Sequence, residues 1–237
     1  MIVECCGAPG AGKTTTAREL VAALQAVDLP AFLPLESIST RRPMRARLAS
    51  KLRLAAIELT RHPVSSASVL RLVLESRQRT TRDLVARSLN LLVLRSAYRG
   101  ARATAGVHVF DQGIVQELAS IGYAARRFPD VAIGDPGHGD LAPDLILAID
   151  VDADTANTRL TGRPGRESRV EAAGLNQLSE IIKQKDLIDV LLVAWLERYA
   201  DAMPSSVVHI DNRTNAPSLD ELVVNIRALH MHEKENA

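Results

Sequence analysis

Short apolar runs alternate with longer amphipathic stretches along the 237 residues of the chain. Five of the short runs have the length of strands and are bounded by polar residues, glycine or proline. They cover residues 2–6, 31–35, 107–110, 145–149 and 207–210. The segments between them show helical spacing of apolar positions. This alternation predicts an α/β fold of three layers, in which a five-stranded parallel sheet carries helices on both faces.

A long helical insertion is predicted between the second and third strands. Residues 88–94 are apolar nearly all round, which predicts a buried helix. An apolar stripe marks the start of the insertion, and Arg45, Lys51 and Arg61 lie off it. The stripe consists of Met44, Leu48, Leu52, Ala55 and Leu59. We therefore expect the insertion to span residues 41–104 approximately.

Two helical regions are predicted in the second half of the chain, at residues 175–202 and 218–230. Ser218, three residues before Glu221, predicts a capping box at the start of the last helix. No linker or internal repeat divides the sequence. We therefore expect one domain over residues 1–237.

Composition narrows the class of protein. Apolar residues make up 46% of the chain but aromatic residues only 3%, so the core is expected to be mostly Leu, Ala, Val and Ile. No apolar stretch approaches a membrane span and no leader pattern is present, which predicts a cytoplasmic protein.

Adjacent Cys5 and Cys6 are expected to be reduced core thiols. His230 and His232 are expected to be solvated in a polar tail.

The net charge of +1 conceals an asymmetry. Residues 41–102 contain fifteen Lys and Arg against three acidic residues, and the rest of the chain is acidic. Such an excess favours an anionic ligand, or it is a solvated surface whose arginines cover apolar stripes. Tyr98 is the one aromatic residue of this segment, which counts against single-stranded nucleic acid as a partner.

The strongest functional signal is a glycine-rich run between the first strand and the first helix. It matches the phosphate-binding pattern G-x-x-x-x-G-K-[ST] at each fixed position. Its residues are Gly7, Ala8, Pro9, Gly10, Ala11, Gly12, Lys13 and Thr14. Glycines allow backbone N–H groups to converge on phosphate oxygens, and the helix N-terminus adds positive potential. We therefore predict that this P-loop, with Thr15 beside it, binds ATP.

Two side chains of this run have specific predicted roles. Lys13 reaches the β- and γ-phosphates, and the Thr14 hydroxyl completes the shell of a Mg²⁺ ion. Asp111 follows the third strand, at the sheet edge where α/β proteins bind ligands. It is predicted to hold Mg²⁺ or to accept a proton from the acceptor, the alternative being a helix cap.

Arginines form the third candidate constellation, over residues 159–170. Arg163 and Arg166 flank a Pro-Gly break, as in a mobile lid that neutralises charge on a transferring phosphoryl group. An arginine-rich surface loop is the alternative. Arg159, on the preceding helix, is predicted to contact the nucleotide. Asn212 follows the last strand in a polar turn that is also predicted to contact the nucleotide.

These features together resemble the nucleoside monophosphate kinase superfamily of P-loop proteins, and within it the thymidylate kinase-like group. The resemblance rests on the P-loop, the strand ending in Asp111, residues 143–151, the arginine segment and Asn212, in that order. It implies an ATP- and Mg²⁺-dependent kinase.

The chain departs from the thymidylate kinase pattern at two positions. Gln112 stands where those enzymes place an arginine on the phosphate of the acceptor, and Pro9 stands where they usually place an acid. A neutral amide cannot form the bidentate pair that arginine makes with a phosphate. Thymidine monophosphate is therefore expected to be a poor acceptor.

We expect the acceptor to be a small, anionic molecule with a hydroxyl or phosphate group. Gln112 lies on its side of the site, and Arg41, Arg42 and Arg45 are the predicted anion ligands because they follow the second strand. Two alternatives stay open. One is a P-loop switch or interaction module whose basic half docks on a membrane, nucleic acid or protein. The other is a kinase resembling zeta toxins or antibiotic phosphotransferases. The sequence also leaves a homodimer open.

Overall fold

The computed structural model describes residues 1–38, 43–125, 142–162, 176–199, 206–212 and 219–235. The strands are β1 (Ile2–Cys6), β2 (Ala31–Phe32), β3 (Val107–Phe110), β4 (Leu145–Asp150) and β5 (Ser206–Asp211). The helices are α1 (Lys13–Ala26), α2 (Met44–Arg61), α3 (Pro63–Glu75), α4 (Thr81–Arg102), α5 (Ile114–Ala124), α6 (Ala153–Thr161), α7 (Gln177–Tyr199) and α8 (Leu219–Glu235). This arrangement confirms the predicted α/β class.

The five strands form one parallel sheet in the order β2-β3-β1-β4-β5. β1 is central, with β3 on one side and β4 on the other. The chain leaves β1 for an edge strand and later returns to its other side, so the order reverses around β1. Open α/β sheets bind ligands at the carboxyl ends of strands at such a point.

Alternate residues of β1 enter two separate cores, because successive side chains of a strand point to opposite faces. Ile2 and Cys6 pack with the insertion, α5 and α7. Val3 and Cys5 pack with α1, α6 and α8. Both cysteines are free and buried, as predicted. The three-layer arrangement is thereby confirmed.

The insertion consists of three helices, α2, α3 and α4, within the predicted range. Residues 91–94 of α4 are buried, which confirms this part of the predicted segment 88–94, whereas residues 88–90 are half-buried. The apolar stripe of α2 is different, because among its five members only Ala55 is buried. Met44 is 80% exposed and Leu52 is 53% exposed. The buried face of α2 is instead centred on Ala55 and Glu58.

A buried ion pair explains how α2 packs against α4 with a charged residue on its inner face. Glu58 and Arg95 are each 1% exposed as side chains, and Arg95 Nε lies 3.2 Å from Glu58 Oε1. Arg99 also donates to Glu58 Oε1, at 3.3 Å. Two charges buried together are tolerated because each neutralises the other. An apolar stripe could not reveal this inner face.

Two smaller expectations need correction. β2 ends at Phe32 rather than at residue 35, because Pro34 has no backbone N–H to donate to a strand. His230 is 5% exposed on α8 and is not solvated, since α8 continues past it. The side chain of His232 and the residue Ser218 lie outside the described residues. Among the described helices, none has the length and apolar character needed to cross a bilayer.

Candidate active site

The P-loop connects β1 to α1 at the carboxyl edge of the sheet. Gly12 is the N-terminal cap of α1 and has the left-handed backbone angle φ 96°, which residues with a side chain rarely adopt. A Cβ atom at Gly12 would lie 2.5 Å from Nδ2 of Asn212. This glycine is therefore required by both conformation and close packing.

Two polar side chains from distant segments hold the P-loop. The backbone N–H of Gly7 donates to Oε1 of Gln116, on the first turn of α5, at 3.1 Å. The amide nitrogen of Asn212, just after β5, donates to the carbonyl of Ala11 at 2.7 Å. The loop is thus held by a residue that follows β3 and by one that follows β5, on either side of β1. These contacts fix the conformation of the loop before a phosphate binds.

Lys13 folds over the loop that precedes it. Its Nζ atom donates to the carbonyl oxygens of Gly7 at 2.7 Å and Ala8 at 2.9 Å. The ammonium group therefore lies inside the loop, where a bound phosphate would meet it together with the N-terminus of α1. Thr15 is exposed on the first turn of the same helix.

Thr14 and Asp111 meet at the base of the P-loop. The hydroxyl of Thr14 donates to Oδ2 of Asp111 at 2.9 Å. Gly113 is the N-terminal cap of α5, and no side chain of the described residues accepts a capping hydrogen bond there, so Asp111 does not cap this helix. A hydroxyl and a carboxylate are hard oxygen donors of the kind that Mg²⁺ prefers. Both are placed to hold Mg²⁺ together with phosphate oxygens of a nucleotide.

The described residues contain no group of three or more His, Cys, Asp or Glu side chains arranged to hold a metal ion alone. A magnesium ion at Thr14 and Asp111 would thus depend on the phosphates for part of its shell. This dependence is usual for Mg²⁺, which binds through one or two protein oxygens and the substrate phosphates.

Arg159 also lies beside the loop. Its guanidinium Nη2 donates to the carbonyl of Asn212 at 2.9 Å, and its Nη1 lies 4.0 Å from the position of a Cβ atom at Gly12. Arg159 is in the last turn of α6, so its position is set by a helix. The structure thus brings Arg159 and Asn212 together with the P-loop.

The remaining predicted residues divide into two groups. Gln112 and Arg45 are exposed, Gln112 beside Asp111 and Arg45 on the first turn of α2. Four predicted residues lie outside the described residues. They are Arg41, Arg42, Arg163 and Arg166.

Sequence reasoning missed Glu4, which lies fully buried on β1. Its Oε1 accepts from the backbone N–H of Gln116 at 2.9 Å, and its Oε2 accepts from the hydroxyl of Tyr98 at 2.7 Å. Burial raises the pKa of Glu4 to about 7, against the lowering effect of these hydrogen bonds. Glu4 is the one charged residue in the apolar strand β1, and this exception is the sequence feature that could have indicated it.

Two other acidic residues at the carboxyl edge were also missed. Glu36 follows β2 and is exposed, just as Asp111 follows β3, so the same rule could have found it. Asp150 ends β4 and lies 3.1 Å from Nζ of Lys185, on α7, and 2.9 Å from Nδ1 of His209. Burial alone would raise the pKa of Asp150, but hydrogen bonds from His209 and Lys185 outweigh it and lower this pKa. Lys185 lines a cleft beside Gly7 and Ala8.

Comparisons with known proteins add little to this geometry. No protein-family model matches the chain, and no curated protein matches it significantly. Among solved structures, the chain is similar to deoxyadenosine kinase from M. mycoides with the products dCMP and a flexible dCDP bound. The TM-score is 0.47 at 13% identity, over 100% of both chains. The same enzyme with bound dCTP gives a TM-score of 0.44 at 13% identity, over 98% of this chain and 100% of the other.

At these scores the similarity carries no activity or substrate over to this chain, and neither structure is of a thymidylate kinase. What the chain itself shows is the parallel sheet in the order β2-β3-β1-β4-β5, with a complete phosphate-binding loop between the central strand and the first helix. The protein has the three-layer α/β fold of P-loop proteins.

Proposed function

We propose that the chain is an ATP-dependent kinase that transfers the γ-phosphoryl group to a small acceptor. The observation that carries this proposal is the hydrogen bond from Thr14 to Asp111 at the base of the P-loop, beside the ammonium group of Lys13. A cation, a hydroxyl and a carboxylate are the groups that phosphoryl transfer needs around the triphosphate.

The roles of the residues follow from their positions. The backbone of residues 7–12 and Lys13 would hold the phosphates, and Arg159 and Asn212 would contact the nucleotide. A bound Mg²⁺ ion would neutralise charge on the β- and γ-phosphates. Thr14 and Asp111 supply oxygen atoms for that ion, while Arg163 and Arg166 are proposed to stabilise charge on the transferring group.

In the transfer itself, an oxygen atom of the acceptor forms a bond to the γ-phosphorus and the bond to the β,γ-bridging oxygen breaks. ADP leaves with that electron pair, and the proton of an acceptor hydroxyl passes to a carboxylate. Asp111 is one candidate for this base and exposed Glu36 is the other. Both lie at the carboxyl edge of the sheet.

A switch that docks on nucleic acid has less support from the structure. Tyr98 is fully buried and hydrogen-bonded to Glu4, so its ring is not available for stacking on a base. The acceptor remains a proposal, with thymidine monophosphate expected to be poor because Gln112 replaces arginine.

The test is ATP consumption by three variants with a panel of nucleosides, nucleoside monophosphates, sugars and sugar phosphates. We expect Lys13→Ala to abolish turnover with the fold intact by circular dichroism. We expect Asp111→Asn to lower kcat by about a hundredfold or more while ATP affinity changes less. Glu36→Gln distinguishes the roles of Asp111 and Glu36. The general base is the residue whose loss lowers kcat while the Mg²⁺ concentration needed for activity changes little.

Full activity of a folded Lys13→Ala variant would exclude this site as the kinase centre. If Asp111→Asn changed ATP binding alone, Asp111 would position the nucleotide and would not act in the transfer.

A further inference from the structure

Three cationic side chains meet between the insertion and α5, away from the arginines that sequence reasoning selected. Arg47 and Lys51 are one turn apart on α2, and Arg87 lies on α4. All three are partly buried, unlike Arg45, which is exposed. Burial matters because a cation removed from water binds an anion more strongly than one on the surface.

Glu117, on the first turn of α5, is the carboxylate that contacts this cationic cluster of Arg47, Lys51 and Arg87. Nη1 of Arg87 lies 3.0 Å from Oε1 and 3.1 Å from Oε2 of Glu117. Lys51 donates to the neutral amide oxygen of Asn90 at 2.8 Å. Of the described groups whose charges shift the pKa of Lys51, one is a carboxylate (Glu117) and two are guanidinium groups (Arg47 and Arg87), so positive charge is in excess around Lys51.

Two guanidinium nitrogens of the cluster have unused hydrogen-bonding capacity. Nε of Arg47 and Nε of Arg87 are both buried, and neither has a hydrogen-bond partner within the described part of the chain. A buried N–H without an acceptor costs free energy, so an anionic ligand that accepts from these N–H groups would bind favourably. An anion would supply it.

The surrounding charges also shift the pKa of Lys51. Burial lowers the pKa of Lys51, and Arg47 and Arg87 lower it further, while Glu117 raises it. Like charges held together without a counterion disfavour the protonated amine. A dianion bound among them would reverse this effect.

The cluster and the P-loop both contact the first turn of α5. Gln116 holds Gly7 with its side chain, and the following residue, Glu117, holds Arg87. Consecutive residues of a helix point about 100° apart. Gln116 and Glu117 therefore reach the P-loop and the cationic cluster in different directions from the same turn of α5. An acceptor bound to the cluster would therefore be adjacent to the nucleotide.

We propose that Arg47, Lys51 and Arg87 bind the phosphate group of a phosphorylated acceptor. This inference rests on the proposed kinase function and specifies the substrate class. A phosphate monoester carries close to two negative charges at neutral pH and offers several acceptor oxygens. Both properties match the excess charge and the unpaired N–H groups of the cluster.

The first experiment measures the site without relying on catalysis. Inorganic phosphate is titrated calorimetrically into the Lys13→Ala variant, whose P-loop lacks its cation. Arg47→Gln and Lys51→Gln are then added singly to that variant. Each is expected to weaken phosphate binding at least about tenfold, because a charge-assisted hydrogen bond is lost. Arg53→Gln is the matched control, since Arg53 is exposed on the same helix.

Phosphate affinities within twofold of the parent for both Arg47→Gln and Lys51→Gln would overturn the inference, provided that circular dichroism shows folded proteins. A fall of the same size in Arg53→Gln would also overturn it, because the effect would then be one of general charge. Neither result depends on ATP turnover, so failure of the proposed kinase function is recognised separately.

The second experiment separates an acceptor site from a site for free phosphate. In the otherwise wild-type enzyme, Arg47→Gln and Lys51→Gln should raise KM for phosphorylated members of the acceptor panel about tenfold or more, with KM for ATP little changed. Inorganic phosphate in the medium should compete with the acceptor for the cluster. If unphosphorylated acceptors were turned over at a rate that phosphate does not change, the cluster would not be part of the acceptor site.

Discussion

At the scale of single residues, Glu4 has the most unusual environment on β1. It is a carboxyl group with no exposure to solvent, in a strand whose other side chains are apolar. Its two oxygens join Tyr98 on α4 to Gln116 on α5. Because Gln116 also holds Gly7, Glu4 supports the P-loop through one intermediate residue.

The raised pKa of Glu4 predicts a pH dependence of stability. This pKa is about 7 in the folded chain, against 4.5 for the free group. The folded chain therefore holds the proton more tightly, and this contribution to stability is present below pH 4.5 and lost as pH rises to about 7. The loss is about 3 kcal/mol. Glu4→Gln should remove it, as measured by urea denaturation between pH 4 and pH 8 approximately.

Glu19→Gln is the control for this measurement, since Glu19 is an exposed carboxyl group on α1. Its pH profile should follow that of the wild type. An unchanged profile in Glu4→Gln would show that the pKa of Glu4 is the same in the folded and the unfolded chain, against the argument above.

Single residues differ in how far sequence alone could predict them. Lys13, Thr14 and Asp111 follow fixed spacings relative to strands, so their neighbourhood was foreseeable. Gln116 and Arg47 were not, because their surroundings are determined by how helices from different parts of the chain pack. Arg45 was preferred for its position along the chain, whereas the rotation of α2 turns Arg47 inward.

At the scale of elements, the start of α5 contacts both the P-loop and the cationic cluster of Arg47, Lys51 and Arg87. The turn before it carries Asp111, and its first turn carries Gln116 and Glu117. The existence and order of the strands and helices could be predicted from apolar periodicity. The inner face of α2 could not, because a buried pair of Glu58 and Arg95 replaces the apolar contact that periodicity detects.

Gly113 is the point at which this element is most sensitive to a small change. A Cβ atom there would overlap the carboxyl group of Glu4 and the hydroxyl of Tyr98. We expect Gly113→Ala to destabilise the protein by about 1–3 kcal/mol and to lower kcat, because the turn that carries Asp111 must shift. Urea denaturation and ATP turnover measure the two effects.

Gly100→Ala is the matched control. Gly100 lies on α4, and a Cβ atom there would have no atom within 4 Å. Alanine in a helix is favoured over glycine, so this variant should be unchanged or more stable by up to about 1 kcal/mol. Equal losses of stability in both variants would contradict the packing argument at Gly113.

At the scale of the whole molecule, the sheet divides the described interior into two cores, and no described side chain belongs to both. Ile121 of α5 lies in one core and Ile226 of α8 in the other, and both have no exposure to solvent. The apolar alternation of the strands predicted helices on both faces. It could not predict which helix covers which face, because that depends on the order in which strands join the sheet.

This separation predicts additive effects across the sheet. Ile121→Val and Ile226→Val should each cost about 0.5–1.5 kcal/mol of unfolding free energy. The double variant should cost their sum to within about 0.5 kcal/mol, since the two sites share no partner. Urea denaturation of the three variants tests this, and a coupling above about 1 kcal/mol would mean that the sheet transmits strain between the cores.

The bond between Asn212 and Ala11 also has a consequence for the biosynthesis of the protein. The two residues are 201 positions apart, and Gly7 and Gln116 are 109 apart. A contact this distant in sequence cannot form before the segment that carries its second residue has been synthesised. A nascent chain on the ribosome that has not yet released β5 therefore lacks a finished nucleotide cradle. The stabilisation that the proposed binding of ATP would give is therefore available only after nearly all of the described chain has been synthesised.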